Sequence, residues 1–174
     1  MTPIAPPRRL APDESSLFAP IRLLVFDFDG VFTDNSVLVS EDGVESVRCW
    51  RSDGLGLDRV RQLGIEMAVV STESNPVVAV RCKKLKLTVF QGCARKHKQV
   101  AAMIEERGLD WAAVAYMGND INDSECLKAA GLSIVVADVD PAVAPLARLT
   151  TARPGGYGAV REVCDWIWDA RAAS

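Results

Sequence analysis

Residues 23–34, which read LLVFDFDGVFTD, place three aspartates within eight positions directly after an apolar run. Asp27 and Asp29 stand two positions apart, and both can face one crevice only if the chain leaves the strand pleat between them. Gly30 supplies the freedom to turn. Two such carboxylates can take different roles in a hydrolysis reaction, because one attacks as a nucleophile while the other donates and later accepts a proton. Oxygen ligands with no histidine or cysteine nearby favour Mg²⁺ over zinc.

Polar side chains also follow two other apolar runs. Ser71 and Thr72 end the run IEMAVVST, and Asn119, Asp120 and Asp123 follow the run AVAYMG. In sheets of parallel strands, ligands bind beyond the carboxyl ends of the strands. We therefore expect the three groups to converge on one polar crevice. The simpler interpretation is that Asp27 and Asp29 form a structural turn and that Ser71, Thr72 and Asp123 cap the helices that follow them.

The stretches between these groups alternate between strand and helix patterns, which predicts an α/β fold with a doubly wound parallel sheet. Strands are predicted at RLLVFDF, IEMAVVST, TVF, AVAYMG and LSIVVA. Helices are predicted at GLGLDRVRQLG, NPVVAVRCKKLK, KHKQVAAMIEERG, SECLKAAG, PAVAPLA and GAVREVCDWIWDARAA. The segments SVLVS and VESVRCW flank the turn signal EDG and predict a β-hairpin just after the aspartates.

Composition limits the function classes. The 174 residues are 49% apolar, which fits one domain, and the net charge of −3 with interspersed signs argues against nucleic acid as a partner. No stretch approaches the roughly 18 to 20 apolar residues that span a bilayer. Five cysteines without a CxxC pair indicate reduced thiols in a cytoplasmic protein. Residues 1–20 hold five of the nine prolines, which predicts a flexible leader outside a domain at residues 21–174.

The motifs DFDGVFTD, VVST, ARKHK and GNDIND resemble, in this order, those of the haloacid dehalogenase superfamily of aspartyl phosphatases. The resemblance runs from about Leu23 to Trp168 and implies a Rossmann-like fold in which the hairpin is a minimal cap. FQGCARK and GGYGAVREVCDWI resemble the small-capped subfamily that dephosphorylates 3-deoxy-octulosonate and nonulosonate phosphates. AYMGNDINDSECLKAAGL also resembles the phosphatase-like domain joined to some acylneuraminate cytidylyltransferases.

The resemblance implies a catalytic role for each matching residue. Asp27 would attack phosphorus and form an aspartyl phosphate, and Asp29 would protonate the leaving oxygen and then activate water. Ser71, with Thr72 beside it, would bind the phosphoryl oxygens, while Lys96 would neutralise charge on the phosphate and on Asp27.

The resemblance also implies a Mg²⁺ site. The ligands would be Asp27, the backbone carbonyl of Asp29 and the tract that contains Asn119, Asp120 and Asp123. The family usually has an aspartate where this chain has Asn119. An amide oxygen can bind Mg²⁺ but carries no formal charge, so we expect weaker metal binding.

Seven residues are candidates for contact with a sugar-acid phosphate. Thr33 is expected to shape the loop and to lie near the substrate, and Thr72 is expected to contact the phosphate. Glu73 and Lys84 are expected to contact the sugar, as the resemblance to nonulosonate phosphatases implies. The simpler reading of Glu73 and Lys84 is a surface pair on a helix. Arg153, Gly155 and Gly156 are expected to complete the site of a neighbouring subunit, with a flexible linker as the alternative.

These inferences lead to an ordered set of functions. The first is Mg²⁺-dependent hydrolysis of an N-acylneuraminate or deaminated-neuraminate 9-phosphate by a homotetramer, because a hairpin alone cannot enclose a sugar acid. The second is hydrolysis of 3-deoxy-octulosonate 8-phosphate. The third is a weakly active domain that assembles a nucleotide-sugar synthetase, which Asn119 and the cytidylyltransferase-like tract would explain.

Overall fold

A computed structural model describes residues 5–172, which form a six-stranded sheet between two layers of helices. The strand order is β5-β4-β1-β6-β7-β8, and every pair of neighbours in the sheet is parallel. The strands are β1 (Leu23–Phe26), β4 (Glu66–Val70), β5 (Thr88–Phe90), β6 (Val114–Gly118), β7 (Leu132–Val135) and β8 (Leu149–Thr150). The doubly wound parallel sheet expected from the sequence is confirmed.

The two faces of the sheet follow from the alternation of side chains along β1. Leu24 and Phe26 pack with α2, α3 and α6, whereas Leu23 and Val25 pack with α4 and α5. The helices are α1 (Pro12–Ser15), α2 (Asp53–Gln62), α3 (Val77–Leu85), α4 (Lys96–Glu106), α5 (Ser124–Ala129) and α6 (Ala159–Ala172). Among residues 5–172, no helix is both long enough and apolar enough to cross a membrane.

Two predicted details differ from the structure. The helix expected at PAVAPLA is a single 3₁₀ turn at Ala144–Leu146, because Pro141 and Pro145 lack the N–H groups that a longer helix needs. The two residues of β8 were not predicted, since a strand of this length has no periodicity to detect.

The N-terminal segment corrects the expected leader, whose first four residues lie outside the described part of the chain. Phe18 is fully buried in the core, so the domain begins before residue 21. Farther out, the guanidinium of Arg8 lies 5.0 Å from the ring centroid of Trp166, whose Nε1 donates a hydrogen bond of 2.8 Å to the Arg8 carbonyl. Proline content indicated a linker, but apolar and aromatic contacts hold this segment on α6.

The predicted hairpin is confirmed and consists of β2 (Leu38–Val39) and β3 (Glu45–Ser46), paired antiparallel. Its apolar side chains stand in solvent: Leu38 is 75% exposed, Val39 63% and Val44 59%. A bridge between Thr33 and Cys49 ties the base of the hairpin to the loop that follows β1. The hairpin is therefore a flap that projects from the aspartate cluster.

Candidate active site

Asp27 is the first residue after β1 and is held in place from both sides. Its backbone N–H donates to the carbonyl of Met117 at 2.9 Å, which extends the pairing of β1 with β6 by one residue. The Oδ1 atom accepts from the N–H of Phe28 at 2.7 Å, and Oδ2 lies 2.8 Å from Nζ of Lys96. Only 4% of Asp27 is exposed. The sheet thus fixes one carboxylate at its carboxyl edge.

Lys96, the first residue of α4, lies between two carboxylates. Its Nζ atom is 2.8 Å from Oδ2 of Asp27 and donates a hydrogen bond of 2.8 Å to Oδ1 of Asp123. The other partners of Asp123 are the hydroxyl of Tyr116 at 2.6 Å, the N–H of Asn119 at 2.9 Å and the N–H of Asp120 at 3.3 Å. Since both oxygens of Asp123 are engaged, its role in this structure is to orient Lys96.

Burial and charge perturb the titration of this cluster. Burial, reinforced by the Asp123 carboxylate, raises the pKa of Asp27 to about 7, although Lys96 opposes that shift. Burial lowers the pKa of Lys96, but the carboxylates of Asp27 and Asp123 outweigh it and raise the pKa. One ammonium between two carboxylates leaves an excess of negative charge. A further cation beside Asp27 would favour its ionised, nucleophilic form.

Asp29 sits in a less constrained place. It is half-buried, and its Oδ1 receives a long hydrogen bond of 3.5 Å from the hydroxyl of Thr33. Burial, followed by the charge of Glu73, raises the pKa of Asp29, which favours a protonated form that can donate to a leaving group. Thr33 Oγ1 also accepts from the N–H groups of Gly30 at 3.1 Å and Asn35 at 3.3 Å. Thr33 therefore shapes this loop, as expected.

Asn119 fits a metal site better than the two acids that follow it. It is 7% exposed, and its Oδ1 is buried without a hydrogen-bond partner within residues 5–172. The amide packs so closely on Gly30 that a Cβ atom there would lie 2.0 Å from Nδ2. The carboxylate of Asp120 instead accepts from the N–H of Ile121 at 2.6 Å and caps a 3₁₀ turn.

A cation at this place would have mixed oxygen donors. The described residues hold no group of three or more histidine, cysteine, aspartate or glutamate side chains in a metal-binding arrangement. The Asp27 carboxylate and the free amide oxygen of Asn119 are the side-chain donors, and a loop carbonyl can add a third. Carboxylate, amide and carbonyl oxygens are the ligands that Mg²⁺ prefers.

Ser71 lies after β4 beside this cluster and is 1% exposed. Its Oγ accepts from the N–H of Glu73 at 3.0 Å, so the hydroxyl hydrogen is available to a ligand. Thr72 is exposed, and Asn122 donates to its Oγ1 at 3.4 Å, which brings the β4 and β6 loops together. The carboxylate of Glu73 accepts from the N–H groups of the next two residues and organises its own loop.

Lys84 is not brought to the site within this chain. It is exposed in the last turn of α3, the end of the helix remote from the carboxyl edge of the sheet. The surface pair with Glu73 is also not formed, since that carboxylate caps its own loop at the other end of α3. A sugar contact by Lys84 stays a prediction, and only a neighbouring copy could use it.

Gly155 and Gly156 pack on the active-site loop of their own chain. A Cβ atom on Gly155 would lie 1.9 Å from the carbonyl oxygen of Gly30, and one on Gly156 would lie 2.3 Å from the nitrogen of Asp34. The N–H of Gly156 donates to the carbonyl of Val31 at 3.1 Å. These contacts show that the segment is not a loose linker, and completion of a neighbouring subunit's site stays a prediction.

Of the two arginines around these glycines, Arg161 has an ion-pair partner in the same chain, whereas Nε of Arg153 is buried without a hydrogen-bond partner among residues 5–172. The guanidinium of Arg153 lies beside Gly158 and Trp50, where a Cβ on Gly158 would come within 2.7 Å of it. Arg161 donates from Nε to both oxygens of Asp165, at 2.9 and 2.8 Å. Substrate contact by Arg153 accordingly stays a prediction.

Sequence reasoning missed Tyr116, whose hydroxyl completes the shell around Asp123. It lies within the apolar run AVAYMG and was interpreted only as a strand residue. A signal was present, since a tyrosine in a fully buried strand needs a hydrogen-bond partner for its hydroxyl. The identity of that partner depends on the turn at Asn119–Asp123, which the sequence does not specify.

Known proteins are similar to this chain in sequence and in fold. The profile of the haloacid dehalogenase-like hydrolases matches residues 65–160. The 3-deoxy-D-manno-octulosonate 8-phosphate phosphatase KdsC of Escherichia coli (strain K12) is 36% identical over 148 residues, which are 84% of this chain and 79% of that protein.

Two further similarities bear on substrate and assembly. The crystal structure of 3-deoxy-D-manno-octulosonate 8-phosphate phosphatase from Moraxella catarrhalis, in complex with magnesium ion, phosphate ion and KDO, superposes with a TM-score of 0.87 at 29% identity and covers 92% of this chain and 97% of that one. The N-acylneuraminate cytidylyltransferase of Oncorhynchus mykiss is 33% identical over 153 residues, which are 84% of this chain but 35% of that protein.

Proposed function

The chain belongs to the haloacid dehalogenase-like hydrolases, and from this premise we propose that it is a Mg²⁺-dependent phosphatase of 3-deoxy-octulosonate 8-phosphate. The observation that carries the proposal is the buried Asp27–Lys96–Asp123 cluster, with half-buried Asp29 beside it. A nucleophile fixed by a cation and a second, separately placed carboxyl group are what a two-step transfer of a phosphoryl group requires.

In the proposed reaction Asp27 attacks phosphorus, and the bond from phosphorus to the sugar oxygen breaks. Asp29 gives its proton to that oxygen, so that the sugar leaves as a neutral alcohol. The ionised Asp29 then removes a proton from water, whose oxygen attacks the aspartyl phosphate and releases phosphate and free Asp27. Lys96 and the hydroxyl of Ser71 offset the charge that develops on the phosphoryl oxygens.

Mg²⁺ fits the donors that remain free beside Asp27. We propose that the ion is held by the Asp27 carboxylate, the backbone carbonyl of Asp29 and Oδ1 of Asn119. Asp120 instead caps a 3₁₀ turn, and Asp123 is the partner of Lys96. Bound there, the ion would neutralise charge on the transferring phosphoryl group. A neutral amide in this set should weaken the ion's binding without abolishing it.

The preferred substrate among the two candidate sugar-acid phosphates is the reverse of that expected from the sequence, because 3-deoxy-octulosonate 8-phosphate now comes first. The relatives named for octulosonate phosphatase align with 79% of their length, whereas the cytidylyltransferase aligns with 35% of its length. Support for a nonulosonate 9-phosphate rests on Glu73, whose backbone N–H donates to Oγ of Ser71 at 3.0 Å, so that the residue stands at the edge of the site. The nonulosonate ester is therefore the second candidate.

We also propose a homotetramer in the cytoplasm. The exposed apolar side chains of the hairpin, Leu38 above all, would be covered in an assembly, where a neighbouring copy could close the pocket. The five cysteines are all free thiols, which supports a reducing compartment.

The test is phosphate release from a panel of esters with Mg²⁺ and after chelation with EDTA. We expect 3-deoxy-octulosonate 8-phosphate to have the highest kcat/KM, at least about tenfold above p-nitrophenyl phosphate, because only the sugar acid uses binding energy outside the phosphate. A higher value for a nonulosonate 9-phosphate would select the second candidate. Equal values for all esters would contradict a specific sugar-acid phosphatase.

The same panel tests the third function, a weakly active assembly domain. Its distinguishing observation is Asn119, where the family usually has an acid. Such a domain would release phosphate slowly or not at all from every ester, even at saturating Mg²⁺. It would still assemble through the hairpin, so its oligomeric mass would be unchanged.

A further inference from the structure

Resting on the phosphatase function proposed above, we propose that Glu162 is a positioning residue that holds the catalytic loop through the glycine-rich segment. The catalytic loop is residues 27–34, and the glycine-rich segment is residues 151–158. Glu162 lies in the first turn of α6, touches none of the proposed catalytic residues and acts through backbone contacts.

The carboxylate of Glu162 accepts hydrogen bonds from two parts of the chain that are distant in sequence. Glu162 is 1% exposed. Its Oε1 atom accepts hydrogen bonds from the N–H groups of Arg8 at 2.9 Å and Ala152 at 3.0 Å, and its Oε2 atom accepts one from the N–H of Arg153 at 3.1 Å. N–H groups in irregular, part-buried backbone need an acceptor, and hydrogen bonds to a carboxylate are the stronger kind. Glu162 thus fixes the start of the glycine-rich segment.

From that start the segment reaches the catalytic loop by backbone contacts. The Arg153 carbonyl accepts from the N–H of Ala137 at 3.3 Å, and the N–H of Gly155 donates to Oδ1 of Asp138 at 2.9 Å. Gly155 then packs directly against the carbonyl of Gly30, with no side chain between the two. A displacement of the segment would therefore pass to the loop, because no flexible side chain lies in between to absorb it.

The two catalytic carboxylates depend on this loop to different degrees. Asp27 is held by the pairing of β1 with β6 and by Lys96, so it is independent of the glycine-rich segment. Asp29 adjoins Gly30, and within residues 5–172 its side chain has only the 3.5 Å hydrogen bond from Thr33. Loss of the Glu162 anchor should consequently misplace the general acid and leave the nucleophile in position.

Glu162→Gln is the test variant, because it keeps the shape but replaces one acceptor oxygen by an NH₂ group that faces backbone N–H donors. Phenyl phosphate and p-nitrophenyl phosphate are matched substrates, since they are similar in size but only the more basic phenolate needs a proton to leave. We expect kcat/KM to fall about tenfold more for phenyl phosphate than for p-nitrophenyl phosphate.

Trp166→Phe is the matched control on the same helix. It removes the 2.8 Å hydrogen bond from Trp166 to the Arg8 carbonyl, and so weakens the N-terminal segment without touching the glycine-rich segment. We expect it to change kcat/KM for both esters by the same factor. Glu162→Asp, which keeps both acceptor oxygens, should give an intermediate ratio and carries the test if the glutamine variant does not fold.

A second measurement does not depend on catalysis. Amide hydrogen exchange of residues 28–34 should be about tenfold faster in Glu162→Gln than in the wild type, and unchanged in Trp166→Phe. An equal loss on both esters, or unchanged exchange in the loop, would overturn the proposal. If the wild type hydrolyses neither ester, the phosphatase function fails, while the exchange measurement still decides whether Glu162 holds the loop.

Discussion

The catalytic centre and the hairpin, though joined at the Thr33–Cys49 bridge, are opposites in burial. Asp27, Lys96 and Asp123 are at most 4% exposed, and each of their charges has a partner within the chain. In the hairpin, Leu38 is 75% exposed and Val39 63%. The charged side chains of the centre are buried and paired within the chain, whereas the hairpin exposes apolar side chains to solvent.

The contrast separates two tasks. Transfer of a phosphoryl group needs charges held at fixed distances, and a single chain provides these at the edge of its sheet. Recognition of a sugar needs a cover over the crevice, and a two-stranded hairpin is too small to provide it. We therefore expect substitutions in the centre to affect every substrate, and substitutions in the hairpin to affect large substrates most.

The largest effect is expected from Asp27→Asn. An amide of nearly the same shape is a poor nucleophile, so turnover of every ester should fall by about 10⁴-fold or more. Thermal unfolding should remain a single transition, because the backbone bond to Met117 does not involve the side chain. Substantial residual activity in a folded Asp27→Asn protein would eliminate the aspartyl-phosphate mechanism.

A smaller and selective effect is expected from Leu38→Asp in the hairpin. A charge on the exposed apolar surface should lower the oligomeric mass in light scattering and reduce kcat/KM for the sugar phosphate by about tenfold, with little change for p-nitrophenyl phosphate. Glu41→Ala in the exposed hairpin turn is the matched control and should change neither quantity. Equal losses on both substrates would remove the distinction between the two regions.

Asn119→Asp should shift the Mg²⁺ requirement by a few-fold. The added charge lies beside Asp27 and should lower the Mg²⁺ concentration for half-maximal activity by about three- to tenfold. Titration of activity with Mg²⁺ measures this, and Asn122→Asp, on the exposed part of the same turn, is the control. An unchanged or higher requirement would mean that Asn119 is not a ligand.

The last prediction concerns stability and not turnover, and it involves Asp53, a buried acid outside the centre, for which we expect the smallest effect on activity. Its Oδ1 accepts from the N–H of Arg161 at 3.1 Å, and burial raises its pKa to about 7, despite that hydrogen bond and nearby arginines. The folded state binds this proton more tightly than the unfolded state, whose aspartate has a pKa of about 3.9. The contribution of Asp53 to stability is therefore full below about pH 4 and is lost as the pH rises to 7.

Asp53→Asn should remove that dependence, since the amide does not ionise. The free energy of unfolding of the variant, relative to the wild type, should rise between pH 4 and pH 7 by an amount on the order of a few kcal/mol. Urea titrations at several pH values measure the difference. A difference that stays constant with pH would show that Asp53 is ionised in the folded protein throughout this range.

The sequence predicted the parts of the site that depend on local pattern. Asp27, Ser71 and Asn119 follow apolar runs, and carboxyl ends of parallel strands lie along one edge, so their convergence could be predicted without coordinates. Lys96 followed from the family motif. The N-terminal boundary was wrong because proline content reports local stiffness, whereas Phe18 is held by contacts with residues far along the chain.

Other features depend on contacts between distant segments. Gly155 was expected to help complete a neighbouring subunit's site, and the structure shows that it also lets two backbone segments of its own chain touch, since a Cβ there would lie 1.9 Å from the carbonyl oxygen of Gly30. Asp123 was grouped with the metal ligands, but four donors occupy its oxygens. Neither set of contacts produces a periodicity or a residue spacing in the sequence, so neither could be predicted from it.

By itself, the sequence determined the order of the longer strands and helices, the hairpin and the chemical identity of the catalytic groups, because periodicity and residue type are local properties of the chain. The tertiary structure alone decided which oxygens are free. It left Oδ1 of Asn119 without a partner among residues 5–172 and joined Arg8 to Glu162, 154 positions away. Such pairings arise from the packing of helices on a twisted sheet, and no local stretch of residues encodes that packing.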